Sequence, residues 1–122
     1  MSGVFEILEK IRNKPGMYIG RPSVSDLFMF MVGYECSRGE LGVELTEEDD
    51  DFYGEFHCWL QKKLQIETVS SWAKIIMLNC HDEKAGFERF FELLDEFKQR
   101  DQSLNQAQLE EVGQKVHSTS SV

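Results

Sequence analysis

Both prolines of this chain, Pro15 and Pro22, lie in the ten-residue segment Lys14-Pro15-Gly16-Met17-Tyr18-Ile19-Gly20-Arg21-Pro22-Ser23, together with two of the nine glycines. Each proline ring fixes φ and biases the preceding residue away from the helical region, whereas Gly16 and Gly20 permit φ > 0. The segment therefore reads as an ordered Pro/Gly loop that separates two helices and presents Met17, Tyr18 and Ile19 in one set geometry. Tyr18 is expected to plug the core with its hydroxyl at the surface, leaving Lys14 and Arg21 toward solvent.

The remaining apolar residues recur at helical spacing. Val4, Phe5, Leu8 and Ile11 predict a short amphipathic helix to about Asn13. Ser23 or Ser25 can cap a second helix through Leu27, Phe28, Phe30, Met31 and Tyr34, with Asp26 near its positive end and Gly39 and Gly42 at its exit. Thr46-Glu47-Glu48-Asp49 has the pattern of an N-cap with an acidic first turn, followed by Phe52, Phe56, Trp59 and Leu60. Ser70 or Ser71 precedes Trp72, Ile75, Ile76 and Leu78, where a helix is preferred to a buried strand because a lone strand leaves its backbone donors unmet. After Asp82, Phe87, Phe90, Phe91, Leu94 and Phe97 mark one face of a final core helix. Residues 101–122 are polar, with Leu104, Leu109 and Val112 the only well-spaced apolar positions, and read as a weakly helical or disordered tail. The expected fold is all-α, a single compact domain of about five helices over residues 1–100 with residues 101–122 as a tail.

A chain of 122 residues suits one such domain, burying about two thirds of the surface its unfolded form exposes. No stretch approaches a membrane span and no signal peptide is read at Met1-Ser-Gly-Val-Phe-Glu, so the expected location is the cytoplasm. Cys36, Cys58 and Cys80 are odd in number and sit among apolar residues, which predicts reduced, half-buried thiols. The formal net charge is -9, which argues against direct nucleic-acid binding and for a basic protein partner. Charge is uneven: Lys10, Arg12, Lys14 and Arg21 surround the loop, while residues 35–55 hold nine acids against Arg38 alone, predicting two faces of opposite sign.

Three chemical readings compete with a binding role. His57-Cys58 and Cys80-His81 contain zinc-ligand and nucleophile residue types, but adjacent helical residues point apart and no two-residue cysteine spacing is present, so no metal and no thiol catalysis is expected. Asp49-Asp50-Asp51 lacks the alternating ligands, central glycine and distal glutamate of an EF-hand. Consecutive exposed carboxylates also provide no environment that separates their pKa values for acid–base work. Trp59 and Trp72 read as core residues.

Residues 7–23 resemble the opening of the ATPase domain of type II topoisomerases, which carries a similar Arg-Pro-Gly-Met-Tyr-Ile-Gly loop. That family binds nucleotide through an Asn on the next helix and two Gly-rich elements, and the segment from Asp26 to Ser37 has no Asn, nor does either element follow. Over about residues 4–98 the chain resembles small, acidic, uncharacterised bacterial proteins that share the loop, a Gly33-Tyr34 pair, a central Trp59, Ser71-Trp72-Ala73-Lys74-Ile75-Ile76 and the Phe87–Phe97 helix. This resemblance implies an immunity or antitoxin partner of a bacterial toxin, with no catalytic residues and no cofactor to carry over. The expected function is stoichiometric inhibition of a basic toxin, with Glu44, Glu47, Glu48, Asp50, Asp51 and Glu55 as the partner-binding surface. The competing expectation is a small-ligand or regulatory module using Met17, Tyr18 and Arg21 of the Pro15–Ser23 loop over a pocket lined by Tyr18, Tyr34 and Trp72, and an enzyme ranks third.

Overall fold

The computed structural model describes residues 3–100, all of whose regular elements are helical. The expectation of a tail at residues 101–122, with Leu104, Leu109 and Val112, lies outside the described residues. Six helices are present among them: α1 (Val4–Asn13), α2 (Pro15–Tyr18), α3 (Val24–Glu40), α4 (Glu47–Leu64), α5 (Trp72–Met77) and α6, residues 83–100. The helix beyond the expected five is the single turn α2, and it lies in the segment expected to be a loop. Pro15 stands at its first position, where the missing N–H costs nothing and the fixed φ is already helical, and Ile19 N–H closes the turn onto Pro15 O at 2.8 Å. Gly20 takes the positive φ expected of it, at 83°, but Gly16 lies inside the turn and does not.

Caps set the other boundaries. Ser23 Oγ accepts from Asp26 N–H, and Ser71 Oγ accepts from Lys74 N–H. Asp82 Oδ1 accepts from Ala85 N–H at 2.7 Å and opens α6. A carboxylate from the start of α6 strengthens the start of α3: Glu83 accepts from Ser25 N–H at 2.9 Å, Ser25 Oγ at 2.8 Å and Ser23 Oγ at 3.1 Å. The Ser25 backbone donor, with the two hydroxyls, holds the Glu83 carboxyl below its ordinary pKa.

Residues 1–92 form one compact unit, and from Leu93 the chain belongs to a second. The first unit is cored by Val4, Leu8 and Ile11 of α1, Val24, Leu27 and Met31 of α3, Phe52, Phe56 and Leu60 of α4, Ile75 and Ile76 of α5, and Phe87, Phe90 and Phe91 of α6. Aromatic rings meet at its centre, with Trp72 4.7 Å from Phe90 and 5.2 Å from Phe28, and Phe56 5.6 Å from Phe90. Trp72 is therefore a core residue, half-buried at its edge, and Trp59 stacks on Phe56 at 6.0 Å. Gly86 marks the tightest approach: a β-carbon there would stand 2.6 Å from Val24 Cγ1 and 2.7 Å from Met77 Sδ. In the second unit Leu93, Leu94 and Phe97 are fully buried, and the Arg100 guanidinium lies 4.1 Å from the Phe97 ring centroid.

Two expectations are corrected. Cys36 and Cys58 are exposed and only Cys80 is half-buried, because α3 and α4 turn other residues inward: Leu27, Met31 and Arg38 on α3, and Asp49, Phe52, Phe56 and Leu60 on α4. The predicted basic face is largely neutralised locally, with Lys10 near Glu6 at 3.6 Å, Arg12 near Glu9 at 3.7 Å and Arg21 bonded to Asp26 at 2.7 Å.

Candidate functional site

The acidic segment that the sequence singles out is organised by one member that is not on the surface. Asp49 is fully buried at the third position of α4, within a capping box: Thr46 Oγ1 accepts from Asp49 N–H at 3.1 Å and Asp49 Oδ2 accepts from Thr46 N–H at 2.8 Å. The same carboxylate accepts from Val4 N–H at 2.7 Å and from both terminal nitrogens of Arg38, at 3.0 and 2.9 Å. This is a forked, two-bond ion pair on a carboxylate that takes four hydrogen bonds. One side chain thus ties the start of α1, the end of α3 and the start of α4. Gly3 fits beside it because a β-carbon there would stand 3.0 Å from Thr46 Oγ1 and 3.1 Å from Glu48 Oε2.

Burial alone pushes the Asp49 carboxyl up, but the hydrogen bonds from Arg38, Thr46 and Val4 outweigh it and hold the pKa below the ordinary carboxylate value. Arg38 also lies over the Tyr34 ring, 5.2 Å from its centroid. Beside the pair, the Tyr53 hydroxyl is buried without a hydrogen-bond partner, and burial drives its pKa far up.

The pairing decides what α3 and α4 show to solvent. Between Arg21 and Lys62 the sequence contains no Lys or Arg except Arg38, and Arg38 is buried against Asp49. Glu44, Glu47, Glu48, Asp50 and Glu55 are exposed and Asp51 is half-exposed, so all six predicted partner-binding residues lie at the surface in and just before α4. The sequence reading places Asp49 in the Thr46 cap and outside the partner-binding set, but does not pair it with Arg38. The available signal was a lone Arg within an acid-rich stretch and a Thr-x-x-Asp cap.

The other candidates separate. Met17 and Arg21 are exposed and Tyr18 is half-buried. Tyr34 stacks on Phe30 and Trp72 sits in the aromatic cluster, and two clefts among the described residues are lined by other residues. One, of about 430 Å³, is bounded by Arg12, Pro22, Phe87, Glu88, Phe91 and Glu92; the other, of about 420 Å³, by Cys58, Gln61, Lys62, Gln65, Ile66 and Glu67. His57 and Cys58 point apart. The His57 ring bonds the Ser70 carbonyl at 2.9 Å and Gln61 at 3.3 Å, so it clamps the α4–α5 connection while the Cys58 thiol faces out. Among the described residues no three His, Cys, Asp or Glu side chains cluster as metal ligands, and no helix is long and apolar enough to cross a membrane. The chain matches no protein family, no curated protein and no solved structure in the three comparisons made.

Proposed function

We propose that this protein acts by stoichiometric binding of a basic protein partner through the acidic start of α4, with inhibition of a basic bacterial toxin as its setting. The observation that carries this reading is the withdrawal of Arg38 into the Asp49 pair, which leaves Glu44, Glu47, Glu48, Asp50 and Glu55 without a surface Lys or Arg from their own stretch of chain. A local excess of one sign raises the association rate of an oppositely charged partner, and this attraction is screened over about 8 Å at physiological ionic strength. The toxin setting comes from the sequence resemblance.

The test uses the product of the adjacent reading frame as partner and compares wild type with the Glu47→Gln, Glu48→Gln, Asp50→Asn, Glu55→Gln variant across a salt series. The variant should associate more slowly and lose most of its salt dependence, with dissociation little changed. Equal binding of both proteins at every salt concentration would sink the acidic mechanism. The small-ligand alternative rests on the cleft that Pro22 helps to bound, and gains ground only if no protein partner binds.

A further inference from the structure

The outer face of α3 exposes apolar side chains beside its acids. Leu27, Met31 and Arg38 turn inward, and the positions a half-turn away, Met29, Val32 and Cys36, turn out together at spacings of three and four residues. The connection that follows α3 exposes three more apolar side chains, Leu41, Val43 and Leu45. That connection is pinned, not frayed: Leu41 N–H donates to Ser37 O, Gly42 N–H to Gly39 O and Val43 N–H to Arg38 O, with Gly42 at φ 70°. Met29, Val32, Leu41, Val43 and Leu45 are between 41% and 79% exposed, and they make up five of the eight large exposed apolar side chains in the described residues. In the chain Leu45 is followed directly by Thr46 and the acids at the start of α4.

We propose that this row is the centre of the docking surface and that its occupant is an amphipathic helix bearing Lys and Arg beside its apolar face. The inference rests on the protein-binding reading above and specifies where and what is bound. Charge chooses the occupant. Glu35, Glu40, Glu44, Glu47 and Glu48 are exposed along the same stretch, which contributes no surface Lys or Arg of its own. A second copy presenting the same face would oppose acid to acid, which is destabilising, whereas a cationic helix meets the acids with Lys and Arg and the row with its apolar side chains. Gly33 lies among these residues, and a β-carbon there would meet nothing within 4 Å, so no side chain closes over the helix at that position. Methionine suits such a surface because its unbranched thioether adapts to the side chain it meets.

The experiment uses a synthetic helix of Leu and Lys with Leu at three- and four-residue steps, and a peptide of identical composition in scrambled order. In a Cys58→Ser, Cys80→Ser background, Cys36 is alkylated with iodoacetamide with and without each peptide. The amphipathic peptide should slow Cys36 alkylation at least tenfold and the scrambled peptide should not. Met29→Glu with Val32→Glu should weaken the amphipathic peptide at least tenfold, with an unchanged circular dichroism spectrum because both side chains are exposed. Leu41→Glu, outside any helix, should act in the same direction and serves if the double variant misfolds. Equal protection by both peptides, or no loss of affinity in the folded variants, would overturn the apolar row while leaving the acidic surface standing. Concentration-dependent dimerisation that protects Cys36 without peptide would overturn the choice of occupant in favour of a second copy. Salt dependence belongs to the acids, so failure of the acidic reading would show in the salt series and not in these variants.

Discussion

Replacing Asp49 with Asn isolates the charge of the buried pair while keeping its size. The carboxylate accepts four hydrogen bonds, two on each oxygen: Val4 N–H and Arg38 Nη1 on Oδ1, and Thr46 N–H and Arg38 Nη2 on Oδ2. An amide has one acceptor end. Whichever way it is turned, its NH2 faces two donors, and Arg38 is left buried without a counter-charge. Removing one partner of a buried ion pair costs about 3 to 5 kcal/mol, because the surviving charge stays desolvated. That is a large fraction of the roughly 5 to 15 kcal/mol that holds a domain folded. With a urea slope of about 1.5 kcal/mol/M, the midpoint of Asp49→Asn should fall by roughly 2 to 3 M. Arg38→Met should cost a similar amount. The double variant should cost less than the sum of the two by at least about 1.5 kcal/mol, since each single variant leaves the other group stranded. A fall below about 0.5 M urea, or strict additivity, would refute the reasoning by showing that water reaches the pair.

The pair also fixes a direction with pH. Asp49 has its folded pKa below the unfolded value, so its contribution is present above about pH 3.9 and is lost as pH falls through the folded pKa. Glu83 and Asp26 are lowered as well and add the same sign. Wild type should therefore lose stability on acidification, and Asp49→Asn should lose less, so the two unfolding curves converge in acid. Parallel curves would mean that the carboxyl is not held ionised by Arg38.

Two further expectations follow from backbone and burial. Gly20→Val should destabilise by about 1 to 3 kcal/mol because Gly20 sits at φ 83°, whereas Gly16→Ala, inside α2 with open space at its β-position, should be neutral or stabilising by up to about 1 kcal/mol; equal midpoints for both would refute the distinction. Tyr53→Phe removes a buried hydroxyl that has no partner and should raise the thermal midpoint or leave it unchanged, so a clear drop would reveal a hydrogen bond made through water.

The helices were legible in the sequence where their signals are local. Val4 to Ile11, the Thr46 cap and the Phe87 to Phe97 face each lie within a few turns of one helix, and each element stands where its pattern places it. The segment from Pro15 was misread because a proline that ends one helix is also the best first residue of the next, and the two readings share the same local sequence. The exposure of Cys36 was hidden for a different reason. With Met29, Phe30, Met31 and Val32 consecutive, α3 has no polar face from which to infer its rotation, and only the packing of Leu27, Met31 and Arg38 settles it.

The Arg38–Asp49 pair is where fold and surface become one argument. A tally of charge along residues 35–55 treats Arg38 as a partial offset to nine acids, yet the fold spends that cation on the one acid it buries. The bond that anchors α1, α3 and α4 thereby removes one positive and one negative charge from the surface, leaving the net charge of the stretch as it was and its sign uniform. A uniform sign beside an uncovered apolar row favours a cationic occupant over a copy of itself. In sequence the two residues stand eleven positions apart among several equivalent carboxylates; only the convergence of the Val4 and Thr46 donors with Arg38 selects Asp49, and that convergence exists only once three helices have met.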